Sequence, residues 1–160
     1  MKKFFLVSAV LMICALFTGC SSNSETTMGL QWSKLSPNSM FWTQALMYCK
    51  TLDEDGHNDW RLPNIDELRT LIKNCPKTEK GGSCKVSREC SSRKCVEPLN
   101  SCNCDMKSDG YYSKLGDGSV GLWSLTPASD LQGYLWTAGF HNGNIYYTKD
   151  TFEYYVRCVR

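Results

Sequence analysis

The chain has 160 residues, 42% of them hydrophobic and 12% aromatic, with 18 Lys or Arg against 16 Asp or Glu. That is room for one domain of ordinary size, with enough apolar mass to fill a core. A formal charge of +2 lacks the basic surplus of a general nucleic-acid binder, so no nucleic-acid partner is expected.

Met1-Lys2-Lys3 is a basic start, and Phe4 through Phe17 is almost all apolar. The run is too short for a comfortable transmembrane helix. It ends Leu16-Phe17-Thr18-Gly19-Cys20 and is followed by Ser21-Ser22-Asn23-Ser24. Residues 1–19 look like a lipoprotein signal peptide, with Gly19 before the cut and Cys20 the residue that takes lipid. Phe17 departs from the Leu, Val or Ile usual three before the cysteine; a plain secretory peptide is the alternative. Cleavage removes Lys2 and Lys3 and leaves a neutral chain, 16 basic side chains facing 16 acidic. Ser21, rather than Asp, resembles the sorting signal for the outer membrane in diderm bacteria. The expected place is the bacterial cell envelope, held to the membrane by lipid. Residues 21–28 are Ser, Asn, Glu and Thr with one Met, and 20–28 read as a short flexible tether from the lipid.

Gly29-Leu30-Gln31-Trp32 reads as a first strand, with Leu30 and Trp32 on one face. Ser36-Pro37-Asn38-Ser39 is a turn and a cap. From Met40 to about Leu52, Trp42, Ala45, Leu46, Cys49 and Leu52 fall at helical spacing, and Gly56 is the exit. In Asp59-Trp60-Arg61-Leu62-Pro63, Trp60 and Leu62 alternate as in a short buried strand, which Pro63 stops. Asn64 and Glu67 have capping-box spacing, and a helix to about Lys73 follows with Ile65, Leu68, Leu71 and Ile72 on one face. Arg61 lies where it can pair with Asp66 or Glu67. The plain reading of Trp60, Arg61, Pro63 and Glu67 is a packing hub; the functional one makes Arg61 and Glu67 a ligand clamp.

Residues 74–110 change character, with Gly81-Gly82, many Ser and Lys and few large apolar side chains. Such a segment cannot pack a core of its own, so disulfides must order it. It reads as a small knotted lobe inserted on the surface. From Lys73 to Val96 it carries seven Lys or Arg and two Glu, which makes it a solvated basic lobe or a patch for polyanions. The last fifty residues read as strands: Gly121–Ser124, Tyr134–Phe140, Ile145–Thr148 after the Asn142-Gly143 hairpin signal, and Tyr154–Arg160. In the last, Val156, Cys158 and Arg160 share one face. A closing strand near the middle of a sheet places Cys158 against the helix that carries Cys49.

Ten cysteines are present. Cys14 leaves with the signal and Cys20 takes lipid. Eight remain, and an even number in an exported chain reads as disulfides. Cys75, Cys84, Cys90, Cys95, Cys102 and Cys104 crowd together, with pairings left open among fifteen; Cys49 and Cys158 are distant. Zinc is the rival, but Cys102-Asn103-Cys104 is a poor chelate and there is no C-x-x-C pair, so no metal is expected.

Four blocks carry a resemblance. Trp42, Ala45 and Tyr48-Cys49; Asp59-Trp60-Arg61-Leu62-Pro63 with Glu67-Leu68; Leu122-Trp123-Ser124-Leu125-Thr126-Pro127; and Tyr155-Val156-Arg157-Cys158-Val159-Arg160 resemble the Lcl C-terminal-like domain. That family of exported bacterial domains is named for the binding domain of a collagen-like adhesin. The match spans residues 29–160, with the cysteine-rich insertion at about 74–110. Arg61-Leu62-Pro63 with Glu67 is also similar to the formylglycine-generating enzyme superfamily. Both resemblances imply an α+β, C-type-lectin-like fold of two helices, a twisted antiparallel sheet and much loop. They also imply a disulfide from first helix to last strand, which fits Cys49 with Cys158.

The enzyme reading fails residue by residue. The oxidase uses paired late cysteines, and here the only late one is Cys158. A calcium lectin site wants Glu-Pro-Asn and Trp-Asn-Asp; the chain has Glu97-Pro98-Leu99-Asn100 and Asn58-Asp59-Trp60. His57 and His141 lie in turns with no nucleophile at readable spacing. No catalytic residue and no cofactor are expected. What remains is a lipid-anchored binding module for glycans or polyanions, or a structural lipoprotein that docks a protein partner. The ligand-binding candidates are Lys85, Arg88, Arg93, Trp136 and Tyr146. Tyr111, Tyr112, Tyr147 and Tyr154 are further aromatics, several of which must be core.

Overall fold

A computed structural model describes residues 29–96 and 102–160. The expected signal peptide, lipidation site Cys20 and tether, and Glu97-Pro98-Leu99-Asn100-Ser101, lie outside the described residues. The elements are helix α1 (Trp42–Thr51), helix α2 (Ile65–Arg69) and strands β1 (Gly121–Pro127), β2 (Tyr134–Gly139) and β3 (Asn144–Lys149), with a 3-10 turn at Arg93–Val96. The strands form one antiparallel sheet in the order β1-β2-β3. The α+β class expected from the sequence is the one observed.

Alternation along the strands buries the sheet on both faces. Leu122, Trp136, Ala138 and Ile145 join one core with Ile65, Leu68 and Leu71 of the α2 region. Trp123 and Leu135 join a second with Ala45 and Cys49 of α1. Gly121 is required where the ring of Tyr154 crosses, because an added Cβ would stand 2.5 Å from it. Asn142-Gly143 does lie in the hairpin between β2 and β3, but the loop is four residues long, closed by Gly139 opposite Asn144. Its tip is docked: Thr78 Oγ1 donates to the Gly143 carbonyl at 2.5 Å.

The two end segments, expected as strands, meet through isolated bridges instead. Met40 and Tyr154 exchange backbone bonds, as do Gln31 and Arg160. Between them, Ser33 Oγ accepts from the Cys158 N–H at 2.8 Å and Ser36 Oγ from Val156 at 3.0 Å. Serine hydroxyls thus take N–H groups that a neighbouring strand would have paired, and the ladder is interrupted. The other side of the closing segment pairs with Arg61, Gly121 and Trp123. Val156 and Cys158 face the α1 core, and Cys158 is bonded to Cys49 across 109 positions.

Helix α1 starts two residues later than expected. Gln44 Oε1 accepts from the Phe41 N–H at 3.0 Å, so the cap is Phe41 and not the Ser36–Ser39 turn. Helix α2 is shorter than expected, ending at Arg69 rather than about Lys73. Thr70 Oγ1 donates to the Glu67 carbonyl at 2.6 Å, and Thr70, Leu71 and Ile72 make the tighter bonds of a 3-10 turn. Ile72 then bridges to Ser113, and Asn74 turns the chain with a φ of 60°.

The cysteine segment corrects the expectation of a knotted surface lobe. Its bridges are Cys75–Cys104, Cys84–Cys102 and Cys90–Cys95, each inside the last. Nested pairs do not interlock, so there is no knot. Nor is the segment a mere appendage, because Val86 and Val96 are buried in the same core as Ile65 and Leu68.

Candidate functional site

The hub around Arg61 is built by the capping box. Asn64 Oδ1 accepts from the Glu67 N–H at 3.0 Å, and Glu67 Oε2 accepts from the Asn64 N–H at 2.8 Å. The same carboxylate takes Arg61 in a fork, at 2.6 and 2.8 Å. Burial raises the pKa of Glu67, but the bonds from Arg61 and Asn64 outweigh it and hold the carboxyl below its ordinary 4.5. A carboxylate already accepting three bonds has little left for a ligand, and the geometry is that of a structural pair. Trp60 is buried, with Nε1 donating to the His57 carbonyl at 2.9 Å, and the Arg160 guanidinium lies 6.0 Å above its ring. Pro63 is buried, and its carbonyl accepts from Leu125 of β1 at 2.7 Å.

The cations of the lobe lie on its outside. Lys77, Lys80, Lys85, Arg88, Arg93 and Lys94 are all exposed. Residues 74–96 contain only Glu79 and Glu89 against them. Arg93 and Arg88 are anchored by acids. Arg93 donates to Asp130 from its backbone at 2.9 Å and from Nε at 3.1 Å, bonds that hold the Asp130 carboxyl below its ordinary range. The Arg88 backbone donates to Asp66 at 3.0 Å, with Nε 3.8 Å away. Both side chains stay more than half exposed, 63% for Arg88 and 51% for Arg93. Among the described residues, Lys85 and Lys94 engage no carboxylate.

The two aromatic candidates part ways. Trp136, expected as a binding residue, is fully buried, and Nε1 donates to the Ser91 carbonyl at 2.8 Å. It ties the lobe to the sheet and presents no face to a ligand. Tyr146 is 53% exposed on the outermost strand and stacks on Tyr147 at 4.9 Å. Tyr111 is exposed, Tyr112 is core, and Tyr147 and Tyr154 are half-buried.

All eight cysteines from Cys49 to Cys158 are in disulfides. Among the described residues no three His, Cys, Asp or Glu are grouped to hold a metal. Sequence reasoning missed two features. One is Arg69, buried at the end of α2 beneath the lobe. The other is a groove of about 570 Å³ beside Trp42, formed by residues 127–135 and Asp150. Neither has a motif, because each assembles residues from distant parts of the chain.

No curated protein matches the sequence. The model of one family does, over residues 23–160, which takes in the hub, the cysteine lobe and the closing segment alike. The chain therefore belongs to the Lcl C-terminal domain family.

Proposed function

We propose that this protein is a non-catalytic binding module of the bacterial cell envelope, lipid-anchored through Cys20, that recognises polyanionic glycans with its cysteine lobe. One observation carries the reading. Six exposed cations project from a stretch with two acidic residues, on a loop fixed by three disulfides. A rigid cationic loop holds its charges in place before contact, which lowers the ordering cost of binding. The anchor and the outer-membrane destination rest on the sequence around Gly19-Cys20-Ser21.

Binding to immobilised heparin tests the proposal. The response is expected to fall steeply with added salt, since exposed charges are screened within about 8 Å at physiological ionic strength. A response absent at low salt, or indifferent to salt, removes it. The second reading is a structural lipoprotein that docks a protein partner, favoured by the exposure of Tyr146 on the edge strand.

A further inference from the structure

The groove beside Trp42 has a chemistry opposite to that of the lobe. Its wall is aromatic and aliphatic, from Trp42, Leu131, Tyr134 and Leu135, and its polar rim includes the carboxylates of Asp130 and Asp150. Among the described residues no Lys or Arg lines it. The indole of Trp42 is fixed, because Nε1 donates to the Ser124 carbonyl of β1 at 3.0 Å. Asp130 is occupied by Arg93. Asp150 is not: its backbone N–H is bonded to the Gly133 carbonyl, but its carboxylate has no partner among the described residues. A half-buried carboxylate beside aromatic rings suits a cation carried on an apolar stem.

Exposed apolar residues neighbour the groove residues along the chain, in segments that Trp42 with Ser124 and Met40 with Tyr154 bring together. Phe41 adjoins Trp42, Leu125 follows Ser124, and Phe152 lies two residues beyond Asp150. These side chains are 41%, 43% and 60% exposed. A small amine held in the groove would leave all three bare, whereas a polypeptide would cover them.

We propose that this groove docks a polypeptide segment that presents a Lys or Arg side chain flanked by apolar residues. The basic side chain lays its stem along Trp42 and brings its charge to Asp150, while the flanking residues cover Phe41, Leu125 and Phe152. Arg93 of the lobe meets the rim at Asp130, but none of the lobe cations lines the groove, and the proposal does not depend on the polyanion reading.

The test is fluorescence anisotropy of a labelled ten-residue peptide with one Lys between Phe and Leu, titrated with the full-length chain. Its counterpart carries Glu in place of Lys. The Lys peptide is expected to bind and the Glu peptide not to. Asp150→Asn is expected to weaken binding about three- to tenfold, as for one partly exposed ionic contact. Phe152→Ser, at an exposed position, is expected to weaken it too, and circular dichroism checks that both variants are folded. Lys85→Glu is expected to lower heparin binding and leave peptide binding unchanged, which separates the two sites. Equal binding of the two peptides, no binding of either, or full affinity in folded Asp150→Asn and Phe152→Ser overturns the proposal. Displacement of the peptide by an equal concentration of n-butylamine also overturns it, since the groove would then read the amine alone.

Discussion

Arg69 Nη1 donates to the carbonyl of Val86 at 2.6 Å, inside the protein, and so fastens the end of α2 to the cysteine lobe. The same guanidinium reaches the carbonyls of Thr78 at 2.9 Å and Glu79 at 2.8 Å. Burial pulls its pKa down, opposed by the nearby Asp66. Among the described residues no acid pairs with it directly; three backbone oxygens hold the charge.

Arg69→Met is therefore expected to cost about 2–4 kcal/mol, because three lobe carbonyls lose a charged donor at once. Arg69→Lys should restore little, since one ammonium cannot reproduce the planar fork. Chemical denaturation measures the cost, and hydrogen exchange should rise first in residues 75–95. Unchanged exchange there would contradict the role assigned to Arg69.

The disulfides should differ in worth. Cys49–Cys158 closes a loop across 109 positions and Cys90–Cys95 one across 5. Chain entropy values these at about 4–5 and about 2 kcal/mol. Replacing the first pair with Ala should cost more than replacing the second, as read by denaturation midpoints. Peptide mapping that joins Cys49 to a lobe cysteine would contradict the pairing.

Stability should respond to acid through Glu67. Its folded pKa is depressed, so its contribution is present above the ordinary 4.5 and is lost as pH falls through the lower folded value. Glu67→Gln should be less stable than the parent by about 1–2 kcal/mol at neutral pH, from the weakened cap and Arg61 fork. That difference should hold down to about pH 5 and shrink below 4.5, the ordinary carboxyl value. A gap constant down to strong acid would contradict it.

Local chemistry was legible in the sequence, and long-range contact mostly was not, the Cys49–Cys158 bridge implied by the family resemblance excepted. The Asn64–Glu67 capping box could be read because all its parts lie within four residues. The early end of α2 could not, since Thr70 gains its role only when the chain turns to meet Ser113. Trp136 and Tyr146 look alike as strand aromatics; only the lobe folding over Trp136 separates them. The interrupted end strands depended on Ser33 and Ser36 meeting residues more than a hundred positions away. The candidate surface was half legible: the cations were countable, but not the engagement of Arg88 by Asp66 or of Arg93 by Asp130.

The anchor has its own test. Cys20→Ser is expected to move the protein from the membrane fraction to the soluble one and to abolish labelling by a fatty-acid analogue. A wild-type protein that takes no label would contradict lipidation.

The central claim is that the exposed lobe cations bind polyanionic glycans, and one measurement addresses it most directly. Surface plasmon resonance on immobilised heparin compares the parent with Lys85→Glu/Lys94→Glu and with Tyr146→Ala. The two lysines are chosen because they are exposed and hold no carboxylate among the described residues, so reversal should leave the fold intact. The double reversal is expected to weaken binding about tenfold or more, each exposed ionic contact being worth up to about 1 kcal/mol and reversal adding repulsion. Tyr146→Ala should change it little. Full heparin binding by the double reversal, or its loss in Tyr146→Ala alone, would contradict the claim.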